Sequence, residues 1–354
     1  MPVSNALMER LGMDHPIIQA PMAGADSPAL AAAVSEAGGL GTMGTTYLPV
    51  EKMAEAAETV RSRTNRSFGI NLFVPLPVPD MPADAASEVE RMAAYHRDLG
   101  LEAPSLPEGL QDPFEARFPV ALGSGAKVFS FTFGIVPPEA MAAARQRGMV
   151  IMGTATTVAE AVALDRAGVD AIVAQGAEAG GHRGTFAGPV EASLVGTMAL
   201  VPQVVDAVGV PVVASGGIMD GRGIAAALAL GASAVQMGTA FLTCDEAGVV
   251  PAYRDALLAA NETDTALTSA FSGRMARGVR NRFLSEMADH DPLPFPIQNA
   301  LTRPMRTASA AAGNAEFLSL WAGQGVPMAR RLSARELMVQ LVGETEAAIA
   351  GLRA

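Results

Sequence analysis

Cysteine is nearly absent: Cys244 is the single one in 354 residues. One thiol excludes an internal disulfide and any cysteine-built metal cluster. Its setting, Phe-Leu-Thr-Cys-Asp-Glu after an apolar run, marks a semi-buried residue near a strand end, not a nucleophile. Aromatic residues are scarce at 5%, so Ala, Gly, Val and Met must fill the interior. Positive charge is short as well, with 25 Lys+Arg against 36 Asp+Glu and a formal charge of −11. Such a surface repels phosphate backbones and anionic lipid, so neither nucleic acid nor membrane is expected as a partner. No apolar run reaches the roughly 20 residues that a membrane span needs. The N-terminus lacks the basic start and continuous apolar stretch of a signal peptide, so a cytoplasmic location is expected. HExxH, paired carboxylates at fixed spacing, GxSxG and a P-loop are all missing, and no metal site is expected.

What is present is core-forming material. Half of the chain is hydrophobic and only 17% is charged, which allows a large buried interior. The length fits one large barrel with additions or two domains. A unit recurs: a short β-rich run, a Gly or polar turn, then an Ala-rich stretch ending in Gly. Eight such runs, at 16–22, 39–44, 68–74, 127–134, 149–155, 171–176, 210–217 and 234–241, are almost continuously apolar. That is the pattern of a parallel sheet covered on both faces. The helices carry their own punctuation. Ser27-Pro28 supplies a cap and a first-turn proline, with Gly38 as terminator. Thr157 with Gly168, and Asp220 with Gly231, repeat the grammar. Eight strands, with the most glycine-rich turns after the seventh and eighth, predict an α/β fold of the TIM (β/α)₈ barrel type. A doubly wound sheet would place its glycine fingerprint after the first strand, where this chain has Ala20-Pro21-Met22-Ala23-Gly24.

Two stretches break the rhythm. Residues 75–126 form an overlong insertion, read as one barrel helix around 85–99 plus a loop over the mouth. After Phe241 the pattern shifts to helices without strands. The expected organisation is therefore a barrel over 1–241, a helical capping appendage over 242–325, and a closing C-terminal helix within 326–354.

Three glycine clusters sit where strands should end. They are Gln175 to Gly184 (with Gly180, Gly181 and His182), Ala214 to Ile218 (with Gly216 and Gly217), and Gln236-Met237-Gly238-Thr239. Glycine lets the backbone approach a ligand, and free N–H groups can hold phosphate without a cationic side chain. One such cluster reads as an ordinary turn. Two, on adjacent strands, point to a phosphate cradle at Gly217 and Gly238-Thr239. His182, between glycines, is exposed at the mouth and suited to proton exchange near neutral pH. His15, His96 and His290 lack such a setting. Asn71 interrupts an apolar strand and needs hydrogen-bond partners, either a ligand or neighbouring backbone. Gln175 and Gln236, at strand ends, raise the same question. Arg274, Arg277, Arg280 and Arg282 read as a basic helical stripe, either anion-binding or paired with the acidic surface.

At these residues the chain resembles the nitronate monooxygenase family, formerly called 2-nitropropane dioxygenases. The shared segments include PIIQAPMAG, FGINLFV, QGAEAGGHRGTF, PVVASGGIMDGRG, AVQMGTAFL, SGRMARGVRNRF, PIQNALTRPMR and FLSLWAGQG, reaching Gly325. SGGI and QMGT occur in many FMN barrels, whereas GAEAGGHRGTF with the C-terminal segments is specific. The resemblance implies an FMN enzyme that oxidises alkyl nitronates, and often nitroalkanes, with O₂ to a carbonyl compound and nitrite. It places flavin contacts on Asn71, Gln175, Gly180, Gly217 and the run Gln236, Met237, Gly238, Thr239, with Ala20, Pro21 and Met22 approaching the ring. It places the base on His182. The rival readings are an enoyl-thioester reductase or an NAD(P)H:quinone reductase on the same barrel, and a flavin carrier without turnover.

Overall fold

A computed structural model describes residues 4–352. The outermost residues of the first and last expected segments, 1–3 and 353–354, lie outside the described residues. Strands β1 (Ile17–Gln19), β2 (Gly41–Gly44), β3 (Phe68–Phe73), β4 (Val128–Thr132), β5 (Val150–Ala155) and β6 (Ala171–Gln175) enter one parallel sheet in chain order. The chain then leaves the sheet for β7 (Gly181–His182) and returns for β8 (Val212–Ser215) and β9 (Ala234–Met237). β9 pairs with β1 in parallel, Ile18 opposite Gln236. Between β1 and β2 the ring closes through Leu40, whose N–H donates to Ile17 O (3.0 Å) and whose carbonyl accepts from Gln19 N (2.9 Å). All eight predicted barrel strands are present. The last is shorter than expected, because Thr239–Leu242 turns into a helix directly after Gly238.

The expected caps explain where the helices begin. Ser27 Oγ accepts from Leu30 N (3.0 Å), Thr157 Oγ1 from Glu160 N (3.2 Å), and Asp220 from the N–H groups of Arg222 and Gly223. Each cap satisfies donors that the helix itself cannot, worth about 1 kcal/mol apiece.

One core fills the space between strands and outer helices, with Leu30, Val60, Phe129, Leu164, Val204 and Leu341 fully buried. A second fills the barrel interior, from Ile18, Val128, Val150, Val173 and Val213. Its lower end is stoppered by the helix Ala6–Leu11, which inserts Leu7, Met8 and Leu11. The barrel bottom is therefore solid, and only the strand C-termini are open.

The insertion and the appendage depart from expectation. The helix Ala85–Asp98 is present, but Ala85, Met92 and Tyr95 pack on Phe271, Phe283, Leu301 and Phe317 of the appendage, not on the barrel. The outer helix after β3 is instead Phe114–Gly123, whose internal Pro119 and proline-rich approach masked it. The segment after Phe241, expected to hold helices without strands, also contains β10 (Thr265–Thr268) and β11 (Ala276–Val279). These pair antiparallel, and β11 continues onto β7, Ala276 opposite His182. The expected basic helical stripe is thus partly this strand. Arg282 does pair on the surface, with Asp98 and Glu286 at 2.8 Å each. Arg277 is buried instead. No described helix is long and apolar enough to cross a membrane.

The stopper helix makes a measurable claim. Leu11 is fully buried at the barrel floor, so Leu11→Ala should destabilise by about 2–5 kcal/mol. Urea unfolding curves measure this, and a loss below about 1 kcal/mol would show that the floor is not part of the cooperative core.

Candidate active site

A cavity opens at the strand C-termini, where a (β/α)₈ barrel carries its chemistry. The residues expected to contact a flavin, and His182, line it: Ala20, Pro21 and Met22 after β1, Asn71 on β3, Gln175 at the end of β6, and Gly180, Gly181 and His182 around β7, whereas the arginines of the expected stripe do not. Gly216 and Gly217 after β8, and Gln236, Met237, Gly238 and Thr239 at the end of β9, complete the ring. The loop after β1 is tied down by Asp26, whose Oδ2 accepts from Met22 N and Gly44 N, both at 2.7 Å. Loss of water pushes this carboxyl up to about 7, against the pull of those two bonds.

The polar groups on the strands are held by their neighbours. Asn71 Nδ2 donates to Ser130 Oγ (3.0 Å) on β4, one of the two solutions its position demanded. Gln175 bridges the turn to His182: its Nε2 donates to His182 O (3.1 Å) and its Oε1 accepts from Gly184 N (2.8 Å). Arg183, almost fully buried, donates to the carbonyls of Gly176, Gln175 and Ser193. These bonds fold the loop back so that Gly181 and His182 lie against β11.

His182 is walled by Phe73, Phe133, Phe295 and Trp321, with ring centroids 5.5–6.4 Å away. Its Nε2 lies 2.8 Å from Ser272 Oγ, which itself lies 3.0 Å from the Arg274 carbonyl. The arrangement that satisfies both the serine hydroxyl and the Arg274 carbonyl has Nε2–H donating to Ser272 and the serine proton going to that carbonyl. Nδ1 then keeps the free lone pair. Desolvation lowers the imidazole pKa from 6.5 to about 3, helped by the charges of Arg274 and Arg306. The ring is neutral at any working pH. That differs from the simple expectation of a histidine titrating near neutrality.

The strand-end glycines offer backbone donors. Among the described residues the N–H groups of Gly217 and Gly238 find no protein acceptor. Gly217 needs its glycine for the turn itself, at φ +70°, with a Cβ placed 3.2 Å from Glu178 Cβ. Gly238 has ordinary backbone, and its Cβ would sit 3.5 Å from Ala20 and Met22 at the cavity wall. Gly238 therefore reports on the cavity, whereas Gly217 reports on the turn as well.

Three functional candidates lay outside the sequence reading, Arg306, Ser272 and Tyr47, and a fourth, Arg274, was read there only as part of a basic stripe, either anion-binding or surface-paired. Arg274 stacks its guanidinium 3.8 Å over the Phe133 ring and donates to Thr185 O (2.6 Å). Arg306 donates to Asn299 O and Oδ1, and burial lowers its pKa to about 10. Ser272 holds the imidazole, and Tyr47 lines the cavity with a buried, unpartnered hydroxyl. Ser272, Arg274 and Arg306 fall inside segments already quoted, SGRMARGVRNRF and PIQNALTRPMR, but nothing in their spacing aims them at His182. Tyr47 carries no signal at all.

The sequence model for nitronate monooxygenase matches residues 4–344. A probable nitronate monooxygenase from Staphylococcus aureus (strain Newman) is 43% identical over 347 residues, 96% of this chain and 97% of its own length. The crystal structure of nitroalkane oxidase from Streptomyces ansochromogenes superposes with a TM-score of 0.92 at 41% identity, over 98% of this chain and 100% of that one. FabK from Thermotoga maritima superposes with a TM-score of 0.78 at 29% identity, over 99% of both chains.

The neutral imidazole can be checked directly. The His182 ring signals, assigned by loss in His182→Asn, should stay unshifted by NMR from pH 8 to pH 5. A midpoint near 6.5 would mean that water reaches the ring and that the cationic wall is ineffective.

Proposed function

The chain belongs to the nitronate monooxygenase family, and from that premise we propose that it is an FMN-dependent enzyme that oxidises alkyl nitronates with O₂ to a carbonyl compound and nitrite. The observation that carries this reading is electrostatic. A neutral imidazole lines a partly apolar cavity, and two desolvated arginines behind that lining, Arg274 and Arg306, act on it through their charge. Such a wall favours an anion over its neutral conjugate acid, and a nitronate is the anion of a nitroalkane.

The residues fit FMN. Unpaired N–H groups at Gly217 and Gly238, on adjacent strand ends, suit one phosphate without a cationic partner. Asn71, Gln175, Gln236 and the backbone of Ala20 to Met22 would border the ring. Gly180, Gly181, Gly216, Met237 and Thr239 would complete the cradle and its approach. FMN bound there supplies electron transfer between nitronate and O₂. The chain's own part is positional. Arg274 and Arg306 stabilise the nitronate charge, and the aromatic wall excludes water. Ser272 fixes the imidazole so that the Nδ1 lone pair of His182 can accept the α-proton of a neutral nitroalkane. A ring with so low a pKa is a weak base, so the preformed nitronate is the better substrate.

Purified protein should be yellow and release FMN on heating. Gly238→Val should lower FMN affinity while the apoprotein keeps its melting temperature, since only the cavity wall is altered. FAD, or colourless protein indifferent to added FMN, would sink the cradle argument.

Anaerobic mixing separates the rival activities. A nitronate should bleach the holoenzyme, whereas bleaching by NAD(P)H alone would support an enoyl-thioester or quinone reductase, and bleaching by neither a flavin carrier. In His182→Asn, kcat/KM for a neutral nitroalkane should fall by about 10²–10⁴, the usual contribution of a positioned base. The nitronate, already deprotonated, should lose far less. Equal losses for the two would remove His182 from proton transfer.

A further inference from the structure

Glu160 is fully buried, and the site described above makes no use of its carboxylate. It stands in the first turn of the helix Val158–Ala167, third after the Thr157 cap. A glutamate there commonly reaches back to the helix entry, and one of its oxygens does so. Oε2 accepts from Thr156 N (2.7 Å) and Thr156 Oγ1 (2.6 Å). Helix capping leaves the second oxygen unexplained. Oε1 accepts from Phe186 N (2.6 Å) and Ala187 N (2.9 Å), in the loop that follows His182.

An arginine holds the other side of that loop. Thr185 O accepts from Arg274 Nη2 (2.6 Å), and Thr185 O and Phe186 N belong to one peptide unit. A trans peptide directs its C=O and N–H to opposite sides, so this unit stands between guanidinium and carboxylate with its dipole aligned to both. Each bond polarises the other, and the dry surroundings strengthen the pair. Glu160 and Arg274 form no direct salt bridge. The charge of Glu160 nevertheless opposes the loss of water that lowers the Arg274 pKa. On its cavity side, Arg274 lies 3.8 Å over the Phe133 ring, whose centroid is 5.9 Å from that of His182. The Arg274 carbonyl takes the Ser272 hydroxyl that holds Nε2 of His182. Glu160 itself does not line the cavity.

We propose that Glu160 is a positioning residue that fixes Arg274 through the Thr185–Phe186 peptide, and so places positive charge and the Ser272 contact beside His182. Its effect on substrate rests on the nitronate reading above, whereas the relay from Glu160 to Arg274 does not. Two effects on a bound anion compete. Holding Arg274 favours the anion, and the charge of Glu160 opposes it. The charges that act on His182 are those of Arg274 and Arg306, not that of Glu160, so position outweighs direct repulsion.

Two measurements on the FMN-loaded holoprotein test the relay. The first is hydrogen exchange at the Phe186 and Ala187 amides. Arg274→Gln leaves Glu160 in place, yet should speed this exchange about 10-fold, as expected on losing one hydrogen bond to a charged group. The second is a double-mutant cycle on kcat/KM for ethyl nitronate. Glu160→Gln and Arg274→Gln should each lower it about 10-fold, chiefly through KM. The double variant should be no worse than Arg274→Gln alone. Glu160→Asp, which keeps the charge but falls short of Phe186, should resemble Glu160→Gln. Should Glu160→Gln fail to fold, the exchange measurement, made with Glu160 intact, still decides. Losses that multiply to about 100-fold in the double variant, as independent sites would give, overturn the relay. So do unchanged or tighter nitronate use in Glu160→Gln, and exchange indifferent to Arg274. Exchange that responds to Arg274 in a protein with no nitronate turnover supports the relay and overturns the activity alone.

Discussion

The physical constraint on which the site depends is the burial of positive charge with little negative charge beside it, since Arg274 feels only the buried Glu160 and Arg306 joins no salt bridge among the described residues. Arg274 and Arg306 sit far enough from water that their own pKa values fall to about 10. Between them a histidine cannot take up a proton until about pH 3. Arginine tolerates this because its delocalised charge is weakly hydrated and its fork can be satisfied by carbonyls and an aromatic face. Arg274 uses Thr185 O and the Phe133 ring, and Arg306 uses Asn299. What remains unsatisfied is field, and a field of one sign in a low-dielectric pocket selects a ligand of the other.

Such an arrangement needs a rigid base and an adjustable roof. The barrel provides the base: eight parallel strands, an interior filled by Ile18, Val128, Val150, Val173 and Val213, and a floor closed by Leu7, Met8 and Leu11. The roof comes from elsewhere in the chain. The helix Ala85–Asp98 and the appendage share one apolar cluster around Met92, Phe271, Phe283 and Met305. That cluster carries Ser272 and Arg274 on one side and Arg306 on the other. β7 is the joint between the parts, since its two residues pair with β11 while Gln175 and Arg183 anchor its flanks to the barrel.

The tetrapeptide at β9 shows how a strand end is turned into a binding surface. Its apolar run led to the expectation of a strand through Phe241, yet the chain bends into a helix at Thr239. Gly238 makes that bend with its N–H free, so one residue both ends the strand and offers a donor. Gly217 does the equivalent on β8, at the cost of a left-handed backbone that only glycine adopts without strain.

The sequence by itself determined the barrel, because periodicity, caps and glycine terminators are local and each barrel unit states them afresh. Ser27, Thr157 and Asp220 cap the helices they were expected to cap. The glycine clusters and His182 line one cavity, since a parallel barrel sends all its strand ends to one side. Tertiary structure alone decided the protonation of His182 and the use of the arginines. Sequence spacing gave Arg274 and Arg277 the look of a helical stripe, either anion-binding or surface-paired, and only the tertiary structure turned them inward, Arg277 by the pairing of β11 with β7 and Arg274 by its contacts with Thr185 and Phe133. Likewise the helix Ala85–Asp98 carried the right pattern but the wrong partner, because an amphipathic face records that it must be covered and not by what. Tyr47 became visible last. A lone tyrosine after a strand means nothing until packing removes both its water and every possible hydrogen-bond partner.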